Sequence, residues 1–276
     1  MCLIRQTSRV QTATNPIDGS RIAYETYGDG PPLLLVHGSA LTHSIWRAFG
    51  YVKALRESYR LILVDIRGHG RSDKPHDRQS YRMELFIADL VAVLDALDVE
   101  RTHYFGYSLG GRTGLSFAAT RPDRLRSIVI GGGSHRRQPG TFDRLFFPGC
   151  VDVLEHDGMD AFLDRWGEAR GAPVDSGTRA VFRANDSVAL VAYFRQYELE
   201  DGLTDDALRA FDLPTLFFAG SQDNARLRDS RLAATLIPHA ELHVLDGADH
   251  GTALAATPKI LGFVTPFLQA ATPPAG

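Results

Sequence analysis

A serine stands between glycines in Gly106-Tyr107-Ser108-Leu109-Gly110-Gly111, a G-x-S-x-G pattern directly after an apolar run and directly before a helical one. A turn of this kind forces the serine into a strained backbone conformation. The glycines two residues before and after leave room for strand and helix to approach without Cβ clashes. Ser108 would then stand exposed at the carboxyl end of a sheet. A glycine-rich turn with an incidental serine would look the same in isolation, so the partners decide the matter. A serine hydroxyl is a poor nucleophile at neutral pH and needs a base to take its proton and a third group to orient that base. Where such an elbow carries the nucleophile, the acid and the histidine follow in chain order, each on a loop after a later strand. Asp223 follows Pro214–Ala219 through Gly220-Ser221-Gln222, and His250 follows Glu241–Leu245 through Gly247-Ala248-Asp249. Asp223 could equally cap a helix starting near Ala225, but order and placement favour the orienting role. Asp246 and Asp249 are rival acids, and Asp249 adjoins His250 too closely in the chain to orient its imidazole easily.

Attack of Ser108 on an ester carbonyl would create an oxyanion, which preorganised backbone N–H groups stabilise; loss of one such donor typically costs about 3 kcal/mol. The first expected donor is the amide of Leu109. The second should come from His37-Gly38-Ser39-Ala40, with Ser39 the better candidate and Ala40 the alternative. His37 reads as a structural histidine beneath that loop. Trp46, Tyr107, Phe142, Phe146 and Trp166 are the candidate walls of an apolar substrate pocket.

These residues need a scaffold that delivers loops to one edge. Four short apolar runs, Leu33–Val36, Leu61–Ile66, His103–Tyr107 and Ser127–Ile130, read as buried parallel strands. Between them Tyr81–Val99 has an amphipathic helical pattern, with Phe86, Leu90, Val93, Leu94 and Leu97 at three- and four-residue spacing and Asp89 and Asp95 in between. Arg21–Tyr27, after the Asp18-Gly19 turn signal, suggests an antiparallel hairpin at the sheet edge. The alternation breaks from about Ser134 to Phe211, where aromatic-rich helical segments follow one another, and this is read as an inserted helical lid over residues 134–211. The core then comprises residues 1–133 and 212–276. It resumes with Pro214–Ala219, a helix near Arg226–Ile237, a strand at Glu241–Leu245 and a helix from about Ala253 to Ala270, bent or delimited by Pro258 and Pro266. The tail Thr272–Gly276 has the composition of a frayed end. The expected architecture is α/β: a mostly parallel sheet of about eight strands covered by helices on both faces.

With 276 residues, 44% of them hydrophobic and 23% charged, the chain can bury a sizeable core. A net charge of −3 with interspersed signs offers no basic stripe for nucleic acid. Cys2 and Cys150 form no disulfide framework, Met1–Gln11 has no signal-like apolar run, and no segment approaches membrane-spanning length. A cytoplasmic protein acting on a small molecule, with no membrane or nucleic-acid partner, is expected; oligomeric state is left open. His239 and His243 are four apart, but the segment reads as a strand and zinc is not expected. Gly131-Gly132-Gly133 lacks the spacing of a nucleotide loop.

His37-Gly38, Trp46, the Asp65-Ile66-Arg67-Gly68-His69-Gly70-Arg71-Ser72 stretch, the Ser108 elbow, Asp223 and His250 together resemble the α/β-hydrolase superfamily, over roughly Gly19 to Gln269. The resemblance implies hydrolysis of an ester or lactone through an acyl-enzyme, without cofactor or metal. It also implies that the Asp65–Ser72 loop buttresses the active-site loops, so Asp65 and His69 are not assigned to catalysis. A serine nucleophile argues against the dehalogenase and epoxide hydrolase branches. Carbon–carbon bond hydrolysis is an alternative suggested by His37-Gly38-Ser39, although Ala40-Leu41 replace the usual glycine-proline. Perhydrolase or haloperoxidase-like activity with the same triad is another. A slow-turnover, ligand-binding signalling protein is the alternative from outside metabolism.

Overall fold

The computed structural model describes residues 10–272, so Cys2 and most of Thr272–Gly276, the tail expected to fray, lie outside the described residues. Eight strands form one sheet: β1 (Gln11–Thr14), β2 (Arg21–Tyr27), β3 (Pro32–Val36), β4 (Arg60–Val64), β5 (Thr102–Tyr107), β6 (Leu125–Gly131), β7 (Thr215–Gly220) and β8 (Ala240–Leu245). Their spatial order is β1-β2-β4-β3-β5-β6-β7-β8. β1 pairs antiparallel with β2 and β2 antiparallel with β4, and every other neighbouring pair is parallel. Helices α1 (Ser44–Ala48), α2 (Tyr51–Leu55), α3 (Met83–Ala96), α4 (Leu109–Thr120), α11 (Asn224–Leu236) and α12 (Thr257–Ala270) belong to the strand-helix alternation. Between β6 and β7 the chain forms six helices and no strand: α5 (Thr141–Leu145), α6 (Cys150–His156), α7 (Gly158–Ala169), α8 (Ser176–Arg183), α9 (Ser187–Tyr197) and α10 (Asp205–Arg209).

The strands read as unbroken apolar runs because both faces are covered. Leu34, Val36, Ile62, Val64, Tyr104, Ile128 and Ile130 point into one core, which continues into the aromatic residues of α5–α9. The alternate residues Leu33, Leu35, Leu61, Leu63, Phe105, Val129 and Leu216 point into the other, beneath α1, α2 and α12.

Some boundaries differ from expectation. β4 stops at Val64 because the Ile66 amide leaves the ladder to donate to His37 Nε2 at 3.1 Å. Asp89, placed among the polar positions of its helix, is fully buried: both its oxygens take the Arg67 guanidinium at 2.7 Å, and Asn15 donates to Oδ1 at 2.6 Å. A buried ion pair survives only when its lone pairs and protons are satisfied in this way. Pro258 sits in the first turn of α12, where a missing N–H costs nothing, whereas Pro266 is carried inside the helix. Among the described residues no helix is long and apolar enough to cross a membrane.

Candidate active site

Ser108 ends the turn from β5 into α4 with φ 55° and ψ −110°, a conformation outside the regions favoured by non-glycine residues. Two glycines make the elbow possible. A Cβ on Gly106 would lie 2.2 Å from Gly110 O, and one on Gly110 would lie 2.2 Å from Val36 O. Strand, helix and the end of β3 therefore touch through backbone alone, and the serine side chain is thrust clear of the sheet.

Loops from β7 and β8 meet it there. His250 Nε2 lies 2.9 Å from Ser108 Oγ, and His250 Nδ1 lies 2.5 Å from Asp223 Oδ2. With Nδ1–H donating to the carboxylate, Nε2 is left as the acceptor for the serine proton. Asp223 occupies the N-cap position of α11, yet its side chain makes no capping hydrogen bond and turns to the histidine instead. The rival acids are elsewhere. Asp249 Oδ1 caps its own turn, accepting from the amide and hydroxyl of Thr252 at 2.8 and 2.7 Å, and Asp246 stands exposed near Ser221.

The loop after β3 passes directly over the nucleophile: a Cβ on Gly38 would lie 3.1 Å from that of Ser108. Leu109 heads α4, so its amide has no intrahelical acceptor, and among the described residues neither it nor the Ser39 amide donates to another group. The Ala40 amide, the alternative second donor, is already taken by His69 Nε2 at 3.0 Å.

The neighbouring histidines are framework. His37 bonds Gly38 O through Nδ1 at 2.8 Å and accepts from Ile66 through Nε2 at 3.1 Å; His69 bonds Arg67 O at 3.0 Å. Each ring therefore holds one donor and one acceptor and is neutral. Asp65 accepts from the His43 and Arg71 amides at 2.8 and 2.9 Å. Burial pushes His37 down to about 3 and His69 down to about 4, and does the same to His103 on β5, at about 4. An unfolded chain binds protons at these rings below about pH 6.5 while the folded one does not. Their stabilisation is therefore fully present above about pH 6.5 and declines as pH falls toward about 4, by up to about 1.4 kcal/mol per pH unit for each ring. Urea unfolding at a series of pH values should show that decline; a free energy flat between about pH 6.5 and 4.5 would overturn the assignment of neutral rings.

The residues expected to wall the pocket require correction. Trp46 is fully buried in the core beneath α1, α2 and α12, with its ring against Tyr51 and Phe105 at 5.2 and 4.9 Å. Tyr107 is also buried; its hydroxyl donates to His250 O at 2.5 Å and its ring stacks on the His250 ring, so it holds the histidine loop. Phe142 is buried face to face with Phe194 at 3.8 Å. Phe146 and Trp166 are partly buried, and their rings meet aromatic residues of the same helical segment, with Arg170 over the Trp166 ring. A stripe of aromatics in a helical insertion thus serves mainly to build that insertion's own core. Two cavities, of about 370 and 290 Å³, are lined largely by residues of this segment, and neither is lined by Ser108 or His250.

Three contributors were missed. A Cβ on Gly132, at φ +56°, would lie 3.1 Å from His250 Cε1, so part of the triple-glycine run makes room for the imidazole. Arg112 on α4 is buried and donates to the carbonyls of Arg136, Glu200 and Asp201, while Arg226 on α11 donates to Thr141 Oγ1 at 3.0 Å and to Gln138. Both tie the helical segment to the sheet. A charged residue between glycines, as at Arg112, was the one available signal.

Comparison with known proteins agrees with this fold. The family model for the alpha/beta hydrolase fold matches residues 31–147. A hydrolase from Pseudomonas aeruginosa PA01 superposes with a TM-score of 0.78 at 27% identity, covering 96% of this chain and 99% of that one. The protein has the α/β-hydrolase fold. Among curated relatives of this hydrolase-fold protein, 2-hydroxymuconate semialdehyde hydrolase from Pseudomonas sp. (strain CF600) is 29% identical over 92% of both chains. A non-heme chloroperoxidase from Kitasatospora aureofaciens is 28% identical over 88% of this chain and 93% of its own. The resemblance to the α/β-hydrolase superfamily thereby extends over nearly the whole chain.

Proposed function

We propose that the protein is a serine hydrolase that cleaves an ester or lactone of a small, largely apolar substrate through an acyl-enzyme. The observation that carries this reading is the continuous relay Ser108 Oγ, His250 Nε2, His250 Nδ1, Asp223 Oδ2, at 2.9 and 2.5 Å, mounted on a strained elbow. Ser108 Oγ attacks the carbonyl carbon as His250 Nε2 takes its proton. The carbonyl oxygen becomes an oxyanion facing the amides of Ser39 and Leu109. Asp223 holds the imidazole in the accepting tautomer and stabilises the imidazolium. Collapse of the tetrahedral adduct breaks the bond to the leaving oxygen, which receives the proton from His250. Water then repeats the sequence on the acyl-enzyme and releases the acid. The steps need only these protein groups and water, and residues 134–211 form the lid that shapes the substrate site.

The proposed setting is the cytoplasm, in keeping with Cys150, a buried free thiol pushed up to about 12 by burial. Purified protein mixed with p-nitrophenyl esters of increasing acyl length should release nitrophenol over many turnovers, with an initial burst where deacylation is slow. Folded protein that turns over none of them would remove the esterase reading. The full-length similarity to the Pseudomonas semialdehyde hydrolase favours one second reading, hydrolysis of a substrate of that named kind. Turnover of 2-hydroxymuconate semialdehyde in place of esters would select it.

A further inference from the structure

We infer that the helical segment between β6 and β7 holds the oxyanion loop in its working shape through Tyr193 and Asn185, which are positioning residues for the reaction; the inference rests on the ester-hydrolase reading. Ala40 sits at φ +58°, a left-handed conformation that a non-glycine residue keeps only where its surroundings over-determine it. Three polar contacts do so at residues 39 and 40. Ser39 Oγ lies 2.7 Å from the Tyr193 hydroxyl, Asn185 Nδ2 donates to Ala40 O at 3.0 Å, and the Ala40 amide donates to His69 Nε2 at 3.0 Å. Only the last belongs to the sheet's own loops. The other two come from the start of the α8–α9 turn and from the middle of α9, about 150 residues away in the chain, at separations of 145 and 154.

Tyr193 is built to hold a fixed point. Its side chain is 1% exposed and its ring is wedged against His69, Tyr81, Phe86 and Phe142 at 5.7 to 6.2 Å. The hydroxyl has no freedom to search for another partner, and burial without one is costly. His69, which takes the Ala40 amide, is in turn packed on the Tyr193 ring, so the two anchors of the loop support each other. Gly38 lies against Ser108, and a small rotation of the peptide joining it to Ser39 would swing the Ser39 amide away from the carbonyl oxygen it is proposed to receive. Neither Tyr193 nor Asn185 touches Ser108 or His250 in the hydrogen-bond network, so both act through the loop.

The test is steady-state hydrolysis of p-nitrophenyl butyrate by wild type, Tyr193→Phe, Ser39→Ala, the double variant and Asn185→Ala. Each is first checked for a wild-type circular dichroism spectrum and melting transition. The Ser39 variant keeps the amide and removes only the hydroxyl. Each single change should lower kcat about tenfold or more with KM within about twofold, and the double variant should be no slower than the slower single one, because both remove the same bond. Inhibition by butylboronic acid, whose serine adduct is tetrahedral, should weaken by the same factor as kcat/KM. If Tyr193→Phe does not fold, Ser39→Ala breaks the same bond from the exposed side and carries the test. An unchanged kcat, multiplicative losses in the double variant, or a raised KM at constant kcat would overturn the inference, the last by making Tyr193 a substrate contact. Inactive wild type would sink the esterase reading itself and this inference with it, whereas active wild type with unaffected variants sinks the inference alone.

Discussion

Replacing Ser108 by alanine is expected to reduce kcat for p-nitrophenyl butyrate by at least about a thousandfold, and by as much as about a millionfold if the relay works as a unit. The change removes the only group among the described residues that His250 Nε2 meets at hydrogen-bond distance, 2.9 Å away, and leaves the fold untouched because the side chain is only partly buried. Alanine at φ 55° is as strained as serine there, so stability should stay within about 1 kcal/mol. What survives should be a slow water reaction promoted by the two amides and by substrate binding alone. KM should change little. Loss of the nitrophenol burst in the variant, with circular dichroism and melting as in wild type, is the measurement. A variant that retained the burst would place the nucleophile elsewhere.

The second large effect is expected at Asp223. Asn in its place keeps the size and the position at the head of α11, but its amide can donate to His250 Nδ1 and so favours the tautomer with the proton on Nε2, where it blocks the serine. In the serine-protease template the corresponding change lowers kcat about ten-thousandfold. A similar loss, about 5 kcal/mol in transition-state stabilisation, is expected here. Asp246→Asn, altering an exposed carboxylate that lies 3.4 Å from the Ser221 hydroxyl, should stay within about twofold of wild type. Equal activity of Asp223→Asn and wild type, with Asp249→Asn inactive instead, would reassign the acid. The structure argues against that outcome, since both Asp249 contacts go to Thr252.

Most of the sheet was legible because a parallel strand covered on both faces has a simple signature, an uninterrupted apolar run closed by glycine or a turn, and β3, β5 and β7 have it cleanly. β1 was not marked out strand by strand. Gln11–Thr14 is an edge strand with three of its four side chains exposed, so its pattern is set by backbone pairing with β2. The relay residues could be placed since each has a fixed address, the loop after a particular strand. The pocket residues could not. Trp46, Tyr107 and Phe142 were chosen for being aromatic, and an aromatic side chain serves equally well as core, as a support for a histidine loop, or as a wall. Which of these it does depends on which face of its element points where, and that is set by packing partners far away in the chain. The Tyr193–Ser39 contact is of the same kind: two ordinary residues, 154 positions apart, with no local signal in either.

The site draws one loop from each of β3, β5, β7 and β8, and β8 is the last strand of the sheet to be made and stands at its edge. Ser108 and His250 are 142 positions apart. On the ribosome, therefore, the elbow and its glycines emerge long before the histidine proposed to activate the serine. Between the two the chain carries the elbow without its histidine, and the proposed hydrolytic relay is assembled only once β8 has added to β7. On the proposed reading activity is a late property of a completed sheet, so a nascent or C-terminally clipped chain would be chemically silent even where its first six strands are already folded.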